Sequence, residues 1–195
     1  SIHSFPTRRS SDLYLTAVPT NLSTTLYTDN ADLAVTPVIG SEAPSSFYIL
    51  RHNIYNSTET THYSLNIATS AGKLTVPRLG GKLTLNGRDS KVHVTDYNVG
   101  GTTLLYSTAE VFTWKKFDSG KVLILYGGPE ELHEASIVST AKPTIVEGKG
   151  VTTKSIDGNV VLQWETSTSR RIVKIADLSV YILGKDSVLH MDFLN

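Results

Sequence analysis

KLTLNGRDSKVHVTDY, from Lys82 to Tyr97, is the stretch whose reading decides the fold. Asn86-Gly87 stands between two alternating runs. Both residues accept the positive φ that a tight two-residue turn demands, so the stretch reads as a β-hairpin. Leu83 and Leu85 share one face of the incoming strand, and Val92 and Val94 form the apolar face of the outgoing one. The same stretch holds the least generic residues of the chain: Arg88, Asp89, Ser90, His93, Asp96 and Tyr97.

Short strands extend outward on both sides. Upstream, Tyr14–Val38 is Thr-rich, and Thr24-Thr25-Leu26-Tyr27 and Leu33-Ala34-Val35 read as short edge strands punctuated by Pro19 and Pro37. Phe47–Arg51, His62–Ile67 and Lys73–Val76 follow between turn clusters. Downstream, Thr102–Trp114 divides into two β segments near Ser107, because Thr, Val, Phe, Tyr and Trp crowd it and no helix cap precedes it. Val122–Tyr126 is apolar on both faces, which predicts a central strand covered on both sides. Leu132–Val138 comes next. Asp157-Gly158-Asn159 signals a second hairpin ahead of Val160–Trp164, and Arg171–Ile175 with Leu178–Leu183 reads as a closing pair. Strands recurring every 8–12 residues or so belong to sandwiches and barrels rather than βαβ units. The expectation is a single all-β, mostly antiparallel, sandwich- or barrel-like domain with little or no helix.

Composition narrows the function classes. The 195 residues are 39% hydrophobic and 18% charged, enough for one sizeable core. Eighteen basic and eighteen acidic residues cancel and no basic block occurs, so no nucleic-acid partner is expected. No apolar run approaches the roughly 18 residues of a spanning helix, so no membrane partner is expected either. With no cysteine there is no disulfide framework, thiolate metal site or cysteine nucleophile. Two sequons in polar stretches, at Asn21 and Asn56, are candidate N-glycosylation sites and favour an exported glycoprotein. Ser1–Leu13 (SIHSFPTRRSSDL) has neither β nor helical period and no apolar segment after Arg8-Arg9, so it is not a signal peptide. It resembles a translated sequencing-adapter remnant. Residues 1–13 are therefore expected to be a non-native leader, and 14–195 the domain.

Several clusters carry the residue types of chemistry. Glu130, Glu131, His133 and Glu134 in GGPEELHE suggest a metal site or an acid–base pair. HExxH is absent and no second histidine lies at ligand spacing, so the cluster reads as a solvated strand entry. Ser90, His93 and Asp96 hold the residue types of a hydrolase triad, but strand alternation turns Ser90 and Asp96 away from His93. Arg88-Asp89 reads as the shoulder of a turn rather than a ligand grip. Tyr106, Phe112, Trp114, Tyr126 and Trp164 read as core rather than a sugar-stacking platform. The pairs Gly80-Gly81, Gly100-Gly101 and Gly127-Gly128 lack phosphate-loop spacing and read as turns. No catalytic, metal or cofactor-binding residue is assigned, and no cofactor is expected.

LTLNGRDSKVHVTDYNVGGTTLLYSTAEVFTWKKF and VLILYGGPEELHE resemble the second domain of fungal family-35 β-galactosidases. YLTAVPTNLSTTLYTDNADLAVTP, FYILRHN, TSAGKLTVPRLGGKL and STSRRIVKIADLSVYIL fall in the family's order, so the resemblance covers Tyr14 to Leu183. It implies a secreted, glycosylated, multidomain parent whose N-terminal (β/α)8 barrel removes terminal β-linked galactose with retention. Such chemistry uses an acid/base Glu and a nucleophilic Glu about 5–5.5 Å apart. In the family both lie on the barrel, and no glutamate of this chain aligns with them. The resemblance therefore implies a truncated, non-catalytic structural domain that docks on the barrel and on neighbouring β domains of the same polypeptide. It would meet a galactoside only through that parent. The alternative is a carbohydrate-binding module using exposed aromatics. Two departures stand out. The family's Gly-Pro-Gly-Glu and two histidines are here Gly128, Pro129, Glu130, Glu131, Leu132 and His133, which alters a tight turn. From about Gly184 the ending GKDSVLHMDFLN diverges.

Overall fold

A computed structural model describes residues 15–17, 24–40 and 43–189. Residues 1–13, the sequon at Asn21 and the divergent ending from His190 lie outside the described residues. In chain order the elements are β1 (Leu15–Ala17), a helical turn α1 (Thr24–Tyr27), β2 (Leu33–Gly40), β3 (Ser46–His52), β4 (Thr60–Tyr63), β5 (Leu65–Thr69), β6 (Gly72–Val76), β7 (Leu83–Asn86), β8 (Ser90–Val99) and β9 (Thr102–Ser107). Then come β10 (Glu110–Phe117), β11 (Gly120–Gly127), β12 (Leu132–Val138), β13 (Thr144–Glu147), β14 (Val151–Ile156), β15 (Asn159–Glu165), β16 (Arg171–Ile175), β17 (Leu178–Gly184) and a short helix α2 (Lys185–Leu189). The all-β, mostly antiparallel expectation holds, with β11 and β17 as a parallel pair.

An eight-stranded sheet, ordered β1-β2-β3-β8-β9-β12-β15-β14, carries both cores. One face packs on the five-stranded sheet β10-β11-β17-β16-β13 through Val94, Leu104, Ile137, Leu162, Trp164, Leu123 and Val180. The other face packs on the two-stranded pairs β4-β7 and β5-β6 through Leu50, Tyr63, Leu65, Leu83, Leu85 and Tyr106. Adjacent residues Leu104 and Leu105 belong to different cores, as the period of two requires. Each fully buried Leu, Ile or Val contributes on the order of 1.5–3 kcal/mol. The apolar run in β11 is central as expected: Leu123 and Leu125 enter one core, and Ile124 packs with Leu183 and Val188 on the opposite side.

The opening hairpin is corrected. The turn exists, since the Asp89 amide donates to the Asn86 carbonyl at 3.0 Å and Gly87 has φ +49°. Its two strands do not pair. β7 runs antiparallel to β4, with Leu83 opposite Tyr63, while β8 lies between β3 and β9. Asn86-Gly87 thus carries the chain from one sheet to another. Val92, expected on an apolar face, is 38% exposed, while Lys91 and His93 on the opposite face are buried. Asp96 adopts φ +50° and interrupts the β8–β9 ladder without changing its register, and Val94 and Tyr97, three apart, share one core. Thr24–Tyr27 is a helical turn rather than an edge strand, and Leu33–Gly40 is a full strand between β1 and β3 with Pro37 inside it. The second hairpin signal is correct: Ile156 pairs with Asn159 across Asp157 and Gly158 at φ +50° and +75°, the two-residue turn with positive φ at both positions.

Candidate functional site

The chemistry-bearing residues converge where β8, β9 and β12 lie side by side. Glu131 enters this place just before β12, and its side chain is only 1% exposed. Its Oε1 sits 2.6 Å from Lys91 Nζ, and its Oε2 accepts from His133 Nε2 at 3.0 Å and from the Gly128 amide at 2.7 Å. Lys91 reaches on to Asp89 Oδ2 at 2.9 Å. A carboxylate only accepts, so His133 Nε2 carries the proton. The Thr108 hydroxyl accepts the Glu134 amide at 2.8 Å and donates to His133 Nδ1 at 3.3 Å. The Thr108 carbonyl accepts from His93 Nδ1 at 2.8 Å, leaving His93 Nε2 to accept the Tyr63 hydroxyl at 2.9 Å.

Burial and partners oppose one another at these groups. Desolvation raises the Glu131 pKa, but hydrogen bonds from His133 and Lys91 outweigh it and hold the carboxyl down at about 2. For Lys91, desolvation lowers the value and the bonds to Glu131 and Asp89 push it above the ordinary lysine value. Burial holds His93 down at about 3 despite its bond to the Thr108 carbonyl, so the ring is neutral at any ordinary pH. Burial also pushes the Tyr63 phenol well above its ordinary range.

Glu134, fully buried, faces the second core. Its Oε1 accepts the Arg78 amide at 2.6 Å and Tyr106 Oη at 2.7 Å, and its Oε2 accepts the Leu79 amide at 2.9 Å and Gln163 Nε2 at 3.2 Å. All of its strong acceptor positions are taken. It holds the Arg78-Leu79 loop against β12.

The solvated strand entry is therefore corrected. Only Glu130 of the four is exposed; Glu131, His133 and Glu134 are inside, each locked by chain partners. Gly127 and Gly128 do more than turn the chain. A Cβ on Gly127 would lie 2.2 Å from His133 Nε2, and one on Gly128 would lie 2.5 Å from Glu131 Oε1. Glu130 adopts φ +58°, so this tight turn is built with a strained non-glycine residue. Ser90, His93 and Asp96 stay apart, with Ser90 exposed and Asp96 accepting from the Ser70 amide at 2.8 Å. Asp89 accepts the Ser90 amide at 3.0 Å, in keeping with a turn shoulder. Trp164 and Tyr106 are core, and Phe112, Trp114 and Tyr126 are half-buried against it. Lys91, Thr108 and Tyr63 belong to the network and carried no sequence signal, because nothing local says that both faces of β8 are covered.

Glu131 Oε1 meets only the Lys91 ammonium, while its Oε2 and both Glu134 oxygens accept hydrogen bonds from the chain itself. A cleft of about 290 Å³ beside Glu130, Thr166–Thr168 and Lys185 has no aromatic wall for a sugar ring. Among the described residues no group of three or more His, Asp or Glu could hold a metal ion, and no helix is long and apolar enough to cross a membrane.

The described residues thus form a layered β module with an ion network in its interior. Residues 16–190 match the family model "Beta-galactosidase, domain 2", and the chain belongs to that family. It is 55% identical over 181 residues to beta-galactosidase A of Aspergillus oryzae, covering 92% of this chain and 18% of that protein. It is 53% identical over 176 residues to beta-galactosidase A of Aspergillus niger, covering 89% and 17%. It is 52% identical over 177 residues to beta-galactosidase A of a Penicillium species, covering 89% and 18%. The chain thus spans less than a fifth of the length of these relatives.

Proposed function

We propose that the chain is the non-catalytic β domain of a secreted β-galactosidase, whose other parts hydrolyse terminal non-reducing β-D-galactose residues. Its work is structural: it docks against the catalytic barrel and the neighbouring β domains of the same polypeptide. Galactoside is met by the parent and not by this domain, and no cofactor enters. The observation that carries this reading is the state of Glu131 and Glu134. An acid–base pair must face an open cleft, and here both carboxylates are buried, Glu134 hydrogen-bonded at both oxygens and Glu131 ion-paired with Lys91 and hydrogen-bonded at Oε2. Secretion would expose the sequons at Asn21 and Asn56 to glycosylation.

Two measurements on the full-length polypeptide test this. Glu131→Gln and Glu134→Gln are expected to lower its thermal survival while leaving kcat and KM for a chromogenic β-galactoside unchanged in the folded fraction. A loss of about 10²-fold or more in kcat with the fold intact would make these residues catalytic. Expressed under its own leader in a fungal host, the protein is expected in the medium, and retention in the cells would refute secretion.

A further inference from the structure

The loop between β3 and β4 presents the most exposed large apolar residues among those described: Tyr55 is 96% and Ile54 is 68% exposed. It is not a loose excursion. The Asn53 amide donates to Asp32 O at 2.8 Å at one end, and Glu59 O accepts the Gly87 amide at 3.0 Å at the other. Between these anchors the Ser57 amide closes a four-residue turn onto Ile54 O at 3.1 Å, placing Tyr55 and Asn56 at its two central positions. Asn56 is exposed, Ser57 is not proline and Thr58 is exposed, so a complete acceptor triplet stands on the apex of a pinned turn. An aromatic ring this exposed, with no ring or hydrogen-bond partner among the described residues, calls for something that covers it. Here the residue beside it is the one that can bring the cover.

We propose that Asn56 is an N-glycosylation site whose first N-acetylglucosamine packs on the ring of Tyr55. This rests on the secretion reading above. The donor is a lipid-diphosphate-linked oligosaccharide. The Asn56 carboxamide nitrogen forms a bond to the anomeric carbon, the bond from that carbon to the diphosphate oxygen breaks, the lipid diphosphate leaves, and the amide proton passes to a base of the transferase. The apolar C–H face of the sugar then lies on the ring. A cleft of about 140 Å³ beneath Tyr55, walled by Arg51, Arg88 and Asp89, offers polar partners to its hydroxyls. A glycan at this position also puts the β3–β4 loop on the solvent side of the assembled protein, away from the face that docks on the barrel.

The test uses the full-length polypeptide secreted from a glycosylating eukaryotic host behind a heterologous leader. Peptide mass spectrometry is expected to find Asn56 glycosylated in most molecules and in none of the Thr58→Ala variant. Nitration of Tyr55 by tetranitromethane is expected to be several-fold slower when the glycan is trimmed to its first sugar than after an amidase removes it entirely. A bare Asn56 in the secreted protein overturns the site. An occupied Asn56 with equal nitration rates overturns the packing on Tyr55. Because the leader is imposed, a bare Asn56 counts against the site and not against native secretion, which the medium assay above decides.

Discussion

Replacing Lys91 by methionine keeps the apolar stem and removes the ammonium 2.6 Å from Glu131 Oε1. The Glu131 carboxylate, 1% exposed, then keeps only His133 and the Gly128 amide. Removing one partner of a buried ion pair costs about 3–5 kcal/mol, because the remaining charge stays desolvated. Against desolvation, the depressed Glu131 carboxyl is the joint work of His133 and Lys91, so Lys91 accounts for only part of it. Holding Glu131 at about 2 against an ordinary 4.5 corresponds to about 3 kcal/mol of folding stability. A depressed carboxyl contributes that stability above its unfolded value and loses it as pH falls from about 4.5 through about 2. Lys91→Met is therefore expected to lower the thermal midpoint by roughly 6–20 °C at neutral pH, taking about 2–4 °C per kcal/mol for a domain of this size. It should also flatten the acid limb between about 4.5 and about 2, because the folded carboxyl no longer titrates so far below the unfolded one. Thermal and urea unfolding followed by circular dichroism at a series of pH values reads both effects. A midpoint within about 2 °C of the parent, with an unchanged acid limb, would show that Lys91 and Glu131 are not the buried pair described.

Three further outcomes follow from neighbouring residues. Glu130→Gly relieves a left-handed residue at φ +58° and is expected to stabilise by about 0.5–1 kcal/mol in urea melts, the strain relieved exceeding the added unfolded-state entropy. Gly127→Ala drives a methyl to 2.2 Å from His133 Nε2 and is expected to cost about 1–3 kcal/mol in the same assay. His93, ordinarily near 6.5 and held at about 3, binds a proton only in the unfolded chain across that window. Stability should fall as pH drops from about 6.5 towards 3, and His93→Gln should flatten that part of the profile.

What could be read from the residues followed the range of the forces involved. Asp157-Gly158 is a correct hairpin because the turn and both strands are contiguous and Ile156 meets Asn159 directly. Asn86-Gly87 marks a turn, but one centred on Gly87-Arg88 with only Gly87 at positive φ, and the pairing it predicts is wrong. Leu83 and Leu85 are drawn into the second core beside Tyr63 and Leu65, and a contact of that sequence separation leaves no local mark. Thr24–Tyr27 alternates like a strand but forms a single helical turn, too short for periodicity to decide. At the polar cluster, residue types alone made Glu131, His133 and Glu134 look solvated. Their burial depends on Lys91 of β8, Tyr106 of β9 and Thr108 just after β9, brought alongside only by sheet pairing. Gly127-Gly128 reads from the sequence only as a turn, and it takes the positions of the His133 ring and the Glu131 carboxylate to explain why residues 127 and 128 lack side chains.

The central claim is that the carboxylates of this domain support the fold and cut no sugar. The most direct measurement is hydrolysis of a chromogenic β-galactoside by the purified 195-residue chain, compared with the same chain heat-denatured. The account predicts equal, background rates for the two. Turnover that co-purifies with the folded chain and disappears in Glu131→Gln or Glu134→Gln would contradict it.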